Sequence, residues 1–226
     1  PAARLAEVFT DPADGQAAYD WVTNPRVRPA DLVDAIGRAA VARIPPATTR
    51  LWAPADGFSL ALTRTAQRRA SGPLGRRDEG GRGLKLHDTL LLDDAGVPLG
   101  LVDLQCWARP SARRPAHKTR TVDQKETRYW LAARAATRRR VRAVAPDLPL
   151  GFLHDRDADS WPVLCDMLAD DRAHEVTIVR AAWDRRAWPG HAADAQTRAA
   201  LSSLRATLAA ATAVTTHDVM LAATPQ

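Results

Sequence analysis

Two aspartates lie where they could share metal ions. Asp155 directly follows the short apolar segment 150–154, and Asp56 lies within the strand-like segment 51–62. Carboxylate oxygens are the ligands that Mg2+ prefers. Two such ions about 3.5–4 Å apart can activate the attacking oxygen and stabilise the leaving oxygen when a phosphodiester is cleaved. Asp56 and Asp155 are therefore our candidate catalytic and metal-binding residues, with Mg2+ as the cofactor and Mn2+ as its substitute.

Each aspartate also has a purely structural interpretation. The end of an apolar strand is where α/β folds place ligands, but Asp155 and the two aspartates that follow it could equally be turn residues and a helix cap. Asp56 has Pro54 and Gly57 as close neighbours, which is typical of a turn. The local pattern leaves both interpretations open.

Strand-like segments dominate the middle of the chain. Residues 84–92 and 97–107 flank the turn Asp94-Ala95-Gly96, which predicts a hairpin. The segment 64–82 is rich in arginine, glycine and serine and is predicted to be an exposed loop. Further strands are predicted at 51–62, interrupted by Pro54, and at 150–154 and 175–181.

Helical spacing is found on both sides of these strands. Residues 13–43 predict a small helical region divided by Asn24-Pro25. Residues 123–144 predict a long helix with Asp123 as its cap and Glu126 completing a capping box. Residues 159–168 predict a short helix capped by its first residue. Three tryptophans on apolar faces are predicted to lie in the core: Trp107, Trp130 and Trp161.

The order of elements favours a ribonuclease H-like α/β fold. Such a fold has a mixed sheet, with a three-strand antiparallel meander plus parallel strands, and flanking helices. Its first and fourth strands lie side by side, so Asp56 and Asp155 would converge. We predict a short helical N-terminal region at 1–48, a catalytic core at 49–185, and the start of an inserted β-subdomain or irregular tail at 186–226.

The composition favours a polyanionic partner. The 226 residues carry a net charge of +6, and cations placed on phosphates release condensed counterions. Only three of the 32 basic residues are lysines, so part of the arginine excess reflects coding bias. The cluster at 138–142 fits a solvated helix end as well as a DNA contact. DNA contacts are predicted at five arginines: Arg76, Arg77, Arg82, Arg156 and Arg180.

Other classes of protein fit the sequence poorly. No apolar run approaches the roughly 20 residues that cross a bilayer, so no membrane partner is expected. Cys106 and Cys165 have no metal-ligand spacing, which argues against a zinc site or a disulfide framework. We expect a cytoplasmic protein. Because the chain opens with Pro1 rather than methionine, we expect its start to be trimmed or internal.

Several segments resemble one family of enzymes. Residues 154–159, His-Asp-Arg-Asp-Ala-Asp, are similar to the DRE-x-D signature that carries the second aspartate of bacterial insertion-sequence DDE transposases, in the hairpin-forming branch with a YREK signature. Residues 16–27 are similar to that family's N-terminal helix and NP-x-V turn. Residues 98–107 resemble its third strand, and residues 123–131 its KES-x-x-W-L helix start. The pieces follow the family's order over roughly residues 15–185.

The resemblance implies a cut-and-paste DNA transposase of the bacterial cytoplasm. Such an enzyme nicks double-stranded DNA at transposon ends, forms a hairpin by transesterification and inserts the element as a homodimer with Mg2+. The resemblance makes Asp56 the first metal-binding aspartate and Asp155 the second. Gly57 and Phe58 depart from the family's D-T-T-x-L context, and Asp157 replaces its usual glutamate.

The family's third carboxylate lies in a Y-x2-R-x3-E-x6-K pattern, and nothing after Arg180 matches that pattern. Residues 217–223 could be a strand at the beginning of the inserted subdomain. We therefore expect a C-terminally truncated chain that is inactive alone, with Glu126 as a helix cap rather than a substitute. Two alternatives stay open: a non-catalytic DNA-binding remnant or regulator of a full-length transposase, and a different nuclease on the same fold.

Overall fold

The computed structural model describes residues 8–62, 70–75, 81–111, 115–169, 174–185 and 203–212. The chain divides into two compact units, residues 1–180 and 181–226. The helices of the first unit are α1 (Pro12–Thr23), α2 (Pro29–Val41), α3 (Thr127–Val144) and α4 (Trp161–Met167). Its strands are β1 (Leu51–Ala61), β2 (Gly72–Pro73), β3 (Arg82–Leu92), β4 (Pro98–Trp107), β5 (Leu150–His154) and β6 (Glu175–Val179). Short 3-10 helices lie at His117–Thr119, Val122–Gln124 and Arg156–Ala158.

The second unit contains helix α5 (Leu204–Ala210) in its described part. Ser203 caps this helix, because its side chain accepts a hydrogen bond from the amide of Ala206 at 3.2 Å. The amide of Leu204 donates to the carbonyl of Arg185 at 2.6 Å. Residues 217–223, a predicted strand, lie outside the described residues.

The strands of the first unit form one mixed sheet. Its order is β2, β3, β1, β5, β6, and β4 also pairs with β3. The β1–β3 and β3–β4 pairs are antiparallel, whereas β1–β5 and β5–β6 are parallel. The predicted α/β class, with a mixed open sheet and flanking helices, is therefore confirmed. This arrangement is compatible with a ribonuclease H-like fold.

The β3–β4 hairpin turns at a glycine, as the sequence predicts. Gly96 has a φ of +80°, a conformation that side chains with a Cβ rarely adopt. The Asp93 carboxylate accepts hydrogen bonds from the amides of Ala95 at 3.0 Å and Val97 at 2.8 Å. These bonds satisfy amides that the ladder leaves without partners, and they set the register of the two strands.

One face of the sheet packs against helices α2, α3 and α4. Alternate residues of β1 point to this face, where Leu51 and Ala53 join a cluster with α2 and the end of α3, and Ala55 joins a second cluster with Trp130 and Val163. The period of two in β1 and of three to four in α3 brings these apolar side chains together. Burial of this face supplies the main apolar contribution to stability.

The other face of the sheet is more exposed. Val176 and Ile178 of β6 are 44% and 55% exposed. Trp52 lies directly over Gly151, where a Cβ would come within 2.2 Å of the indole ring. Only glycine fits at position 151, because any larger side chain would force the indole away from the sheet.

Three sequence predictions about helix starts are wrong. Helix α3 begins at Thr127, and the capping box lies earlier, between Thr121 and Gln124 of a 3-10 helix. Glu126 makes no capping hydrogen bond with its side chain. Helix α4 begins at Trp161 after Ser160 rather than at Asp159. The ring of Pro162 fixes a helical φ near that start, and the preceding turn belongs to a separate 3-10 helix.

Two further predictions are corrected by burial and pairing. Trp161 is 70% exposed and is not a core residue, whereas Trp130 is 7% exposed. Pro54 does not interrupt β1, which runs continuously from Leu51 to Ala61. Ala53 and Pro54 have no paired residues in β3. The proline, which lacks an N–H donor, therefore lies where the β1–β3 ladder is interrupted.

Within the described part of the chain, no helix combines the length and the apolar character that a membrane span requires.

We predict that acid destabilises this fold through His87. Burial lowers the pKa of His87 from 6.5 to about 4, although Asp103 and Asp56 oppose the shift. The stabilising effect of the neutral ring is therefore complete above pH 6.5 and is lost as the pH falls toward 4. Replacing His87→Leu should reduce the loss of unfolding free energy between pH 7 and pH 5 by about 2 kcal/mol. Urea denaturation at the two pH values measures this difference.

The exposed His174 provides the matched control. His174→Leu should leave the pH dependence of the unfolding free energy unchanged. An equal pH dependence in wild type and His87→Leu would contradict the prediction.

Candidate metal and DNA site

Parallel pairing brings the two candidate aspartates together. Ala55 of β1 is in register with His154 of β5, so the next residues, Asp56 and Asp155, are neighbours across the strand pair. Ala55 and His154 are buried on the helix-covered face, and strand alternation directs both aspartates to the other face. Adjacent strands lie about 4.8 Å apart, a separation at which two carboxylates can contact the same cation.

Each of these carboxylates uses one oxygen to accept a hydrogen bond from a nearby backbone amide. Oδ1 of Asp56 accepts the amide of Gly57 at 2.6 Å. Oδ1 of Asp155 accepts the amide of Asp157 at 2.8 Å and so caps the 3-10 helix that follows β5. Among the described residues, the second oxygen of each aspartate has no hydrogen-bond donor. These bonds agree with the local structural interpretation of each aspartate, and the ligand interpretation stays a prediction.

A third carboxylate, which no sequence motif indicates, lies beside this pair. Asp88 of β3 is directly opposite Asp56 in the antiparallel ladder. Burial raises the pKa of Asp88, and the charge of Asp56 raises it further. The even-numbered leucines of β3 could have indicated which face Asp88 shares. Its pairing with Asp56 depends on the register between β1 and β3. That register cannot be predicted from the sequence, because the segment 62–81 separates the two strands.

The donor chemistry suits a hard cation, but the donor set is small. Asp88 and Asp155 flank Asp56 on opposite sides, so they are separated by two strand spacings, or about 10 Å. They cannot bind one ion together. Within the described residues, no group of three or more histidine, cysteine, aspartate or glutamate side chains is arranged to hold a metal ion. The Asp56 and Asp155 carboxylates would hold Mg2+ only with water or substrate oxygens completing its shell.

Two of the predicted DNA-contacting arginines lie at the same edge of the sheet. Arg156 follows Asp155 directly, and its side chain makes no ion pair with any described residue. Arg180 follows β6, and its amide donates to the carbonyl of His154 at 3.0 Å. Both residues are exposed, so their guanidinium groups are available to phosphate. The alternative pairing of Arg156 with Asp157 or Asp159 is not observed.

The arginines of the 64–82 segment give a different result. Arg82 begins β3, and its guanidinium donates to the carbonyl of Ser71 and to the hydroxyl of Ser111 at 3.4 Å. These bonds tie two loops together, so Arg82 has a structural role in addition to any contact with DNA. Arg76 and Arg77 lie outside the described residues.

A buried aromatic layer supports the carboxylate pair from behind. Trp130 of α3 contacts His87 with ring centroids 4.4 Å apart and His154 with centroids 5.2 Å apart, both edge to face. Burial, together with the charge of Arg134, lowers the pKa of His154 from 6.5 to about 3. Both imidazoles are therefore neutral at physiological pH, and they fill the space behind β1, β3 and β5 without adding charge.

Glu126 belongs to a different part of the molecule. Arg109 holds it with two hydrogen bonds, from Nε to Oε1 at 2.5 Å and from Nη2 to Oε2 at 2.6 Å. Burial opposes ionisation of Glu126, but the Arg109 guanidinium outweighs it and lowers the pKa of the carboxyl. Glu126 lines a cavity of about 340 Å³ floored by the stacked rings of Trp107 and Tyr129. Its carboxylate is thus committed to Arg109.

A scan of protein-family models finds none that matches this sequence.

We predict that Asp88 destabilises the folded chain at neutral pH. Its folded-state pKa lies above the usual 3.8, so stability present below that value is lost as the pH rises through the folded-state pKa. Asp88→Asn removes the like-charge pair with Asp56 and should raise the unfolding free energy at pH 7 by on the order of 0.2–1 kcal/mol. Urea denaturation at pH 7 and pH 3 measures the gain, which should vanish at the lower pH.

Asp147→Asn is the matched control, because Asp147 is exposed and lies in the turn between α3 and β5. It should give no gain at either pH. A loss of stability in Asp88→Asn at pH 7 would show that Asp88 is not repelled by its neighbours.

Proposed function

We propose that this chain is the DNA-binding and metal-binding core of a cut-and-paste DNA transposase of the DDE class, built on a ribonuclease H-like fold. The observation that carries the proposal is the placement of Asp56 and Asp155. They directly follow Ala55 and His154, the last residues in register in the parallel pair of β1 and β5, and strand alternation directs both to the face opposite the helices. The sequence resemblance points to the same two residues.

The surroundings of this pair support a substrate made of phosphodiesters. Arg156 and Arg180 are exposed cations beside the carboxylates, and guanidinium groups bind phosphate oxygens with paired hydrogen bonds. Asp56 and Asp155 would hold Mg2+, and bound Mg2+ would supply charge stabilisation for the attacking and leaving oxygens. The arginines would position the DNA backbone against the carboxylates.

Catalysis by the chain alone is proposed to be weak. The sequence contains no Y-x2-R-x3-E-x6-K pattern, and the Glu126 carboxylate already forms an ion pair with Arg109. Nicking, hairpin formation and strand transfer would then require a further carboxylate to complete the metal site. The small donor set also favours the second candidate function, a non-catalytic DNA-binding regulator of a full-length transposase.

We predict that divalent cations strengthen DNA binding through the aspartates. Without metal, the carboxylates repel phosphate, so Asp56→Asn and Asp155→Asn should bind duplex DNA more tightly than wild type in EDTA. Added Ca2+, at matched ionic strength, should raise the affinity of wild type several-fold and leave the two variants nearly unchanged. Fluorescence anisotropy with a labelled duplex measures all three affinities.

Asp147→Asn is the charge-matched control and should respond to Ca2+ as wild type does. If Ca2+ changes the affinity of wild type and of both aspartate variants equally, the metal-binding part of the proposal is wrong.

The two arginines should each contribute one phosphate contact. Arg156→Ala and Arg180→Ala should weaken duplex binding and reduce the slope of log K against log salt by about 1 each. The exposed Arg139 of α3 is the matched control. An Arg139→Ala slope equal to that of Arg156→Ala would mean that binding is spread over the whole basic surface.

A cleavage assay in Mg2+ and Mn2+ separates the proposed activities. Nicking that stops in Asp155→Asn supports the enzyme, whereas tight binding without nicking supports the regulator. Cutting of end-bearing and scrambled duplexes at equal rates would instead indicate a nuclease without transposon-end specificity.

A further inference from the structure

Arg134 is a buried cation that connects helix α3 to the parallel strands β5 and β6. It is 1% exposed. Its Nε donates to Oδ2 of Asp166 in α4 at 2.6 Å, and its Nη1 donates to the hydroxyl of Thr177 in β6 at 3.1 Å. The guanidinium carbon lies 4.2 Å from the ring centre of Phe152 in β5. One side chain therefore contacts β5, β6 and α4.

The same guanidinium fixes the state of the last residue of β5. Nη1 of Arg134 lies 3.1 Å from Nε2 of His154. A guanidinium has no acceptor lone pair, so Nε2 must accept and the proton of the neutral imidazole must be on Nδ1. The ring of His154 is thus held in one tautomer and one orientation, with Trp130 against its edge.

His154 immediately precedes Asp155, and its carbonyl accepts the amide of Arg180. The side chain of His154 is anchored on the covered face, while Asp155 faces the open side. Rotation of the backbone at this point would have to break the contact between Arg134 and His154. The buried contact therefore restrains the direction in which the Asp155 carboxylate points.

We propose that Arg134 is a positioning residue that acts through His154 to aim Asp155 at its cation. This inference rests on the proposed metal-binding function of Asp155. Arg134 is buried, so it would touch neither the metal nor DNA. Its contribution is to hold the end of β5 in one conformation before a ligand arrives, in the way that outer partners orient metal ligands in other sites.

Arg138 provides a matched comparison within the same helix. It binds the same two acids, with Nε to Glu175 at 2.5 Å and Nη2 to Asp166 at 3.1 Å, and it also lies near Phe152, at 5.7 Å. Arg138 makes no contact with His154 among the described residues. Replacing either arginine removes one cation from the same two acids, so the two variants should lose similar amounts of unfolding free energy. Only the replacement of Arg134 should change the orientation of the Asp155 carboxylate.

The test compares Arg134→Met with Arg138→Met in the full chain. Amide hydrogen exchange of Asp157 reports the aim of Asp155 directly, because that amide donates to Oδ1 of Asp155. Arg134→Met should lower the protection of this amide several-fold and should mix the His154 tautomers, as read from the imidazole 15N shifts at constant pH. Arg138→Met should change neither. If Arg134→Met does not fold, Arg134→Lys is the second variant, because it keeps the positive charge and removes the planar guanidinium. It should show the same loss of amide protection and the same tautomer mixing to a smaller degree.

Mn2+ binding, followed by electron paramagnetic resonance, provides the second measurement. The dissociation constant should rise at least about 10-fold in Arg134→Met and far less in Arg138→Met. Equal effects of the two variants on exchange and on Mn2+ affinity would overturn the positioning role. If Asp155→Asn binds Mn2+ as tightly as wild type does, the proposed metal function of Asp155 is wrong. The hydrogen-exchange and tautomer results would still decide whether Arg134 positions the end of β5.

Discussion

The parallel pairing of β1 with β5 is the constraint on which the rest of this molecule depends. Residues 51–55 run beside residues 150–154 in continuous register, although almost a hundred residues separate them in sequence. The pairing buries Leu51, Leu150 and Phe152 in one cluster. It also carries the two aspartates that follow these segments to adjacent positions. Stability and the candidate site thus depend on the same strand pair, and a shift of register by one residue would turn Asp155 toward the core.

The two faces of the sheet carry charged groups in different environments. On the covered face, burial keeps His87 and His154 neutral, while Arg134 is surrounded by acids and polar groups. Ion pairs buried in this way cost desolvation energy that an apolar core would avoid, so their value lies in fixing one geometry. On the open face, carboxylates repel one another in water, where a cation can relieve the repulsion. The buried side chains of the covered face therefore support the strands that carry the exposed carboxylates.

The carboxylates and arginines at the strand ends place both signs of charge at one edge of the sheet, as the proposed metal-bound phosphodiester would require. Acidic groups alone would repel DNA, and arginines alone would bind any polyanion. In the proposed function, their combination at one edge of the sheet, with Asp155 and Arg156 adjacent in sequence, would hold a phosphate bridged to a cation. Glu126 shows the contrast, because its carboxylate is already paired with the Arg109 guanidinium within the protein.

The sequence by itself determined the elements and the identity of the candidate aspartates. The strand-like segments of β3 and β5, the Gly96 turn and the helical spacing of α3 are local patterns, so they predicted local structure. The start of α3 was misplaced because two overlapping capping patterns compete, and the exposed Trp161 was misplaced because a short helix has no reliable inner face. Only the tertiary structure decided that Asp88 lies opposite Asp56, that Arg134 contacts His154 and that Arg109 forms an ion pair with Glu126. Each of these contacts joins residues distant in the chain, and their register is set by burial of the whole sheet rather than by any neighbouring residue.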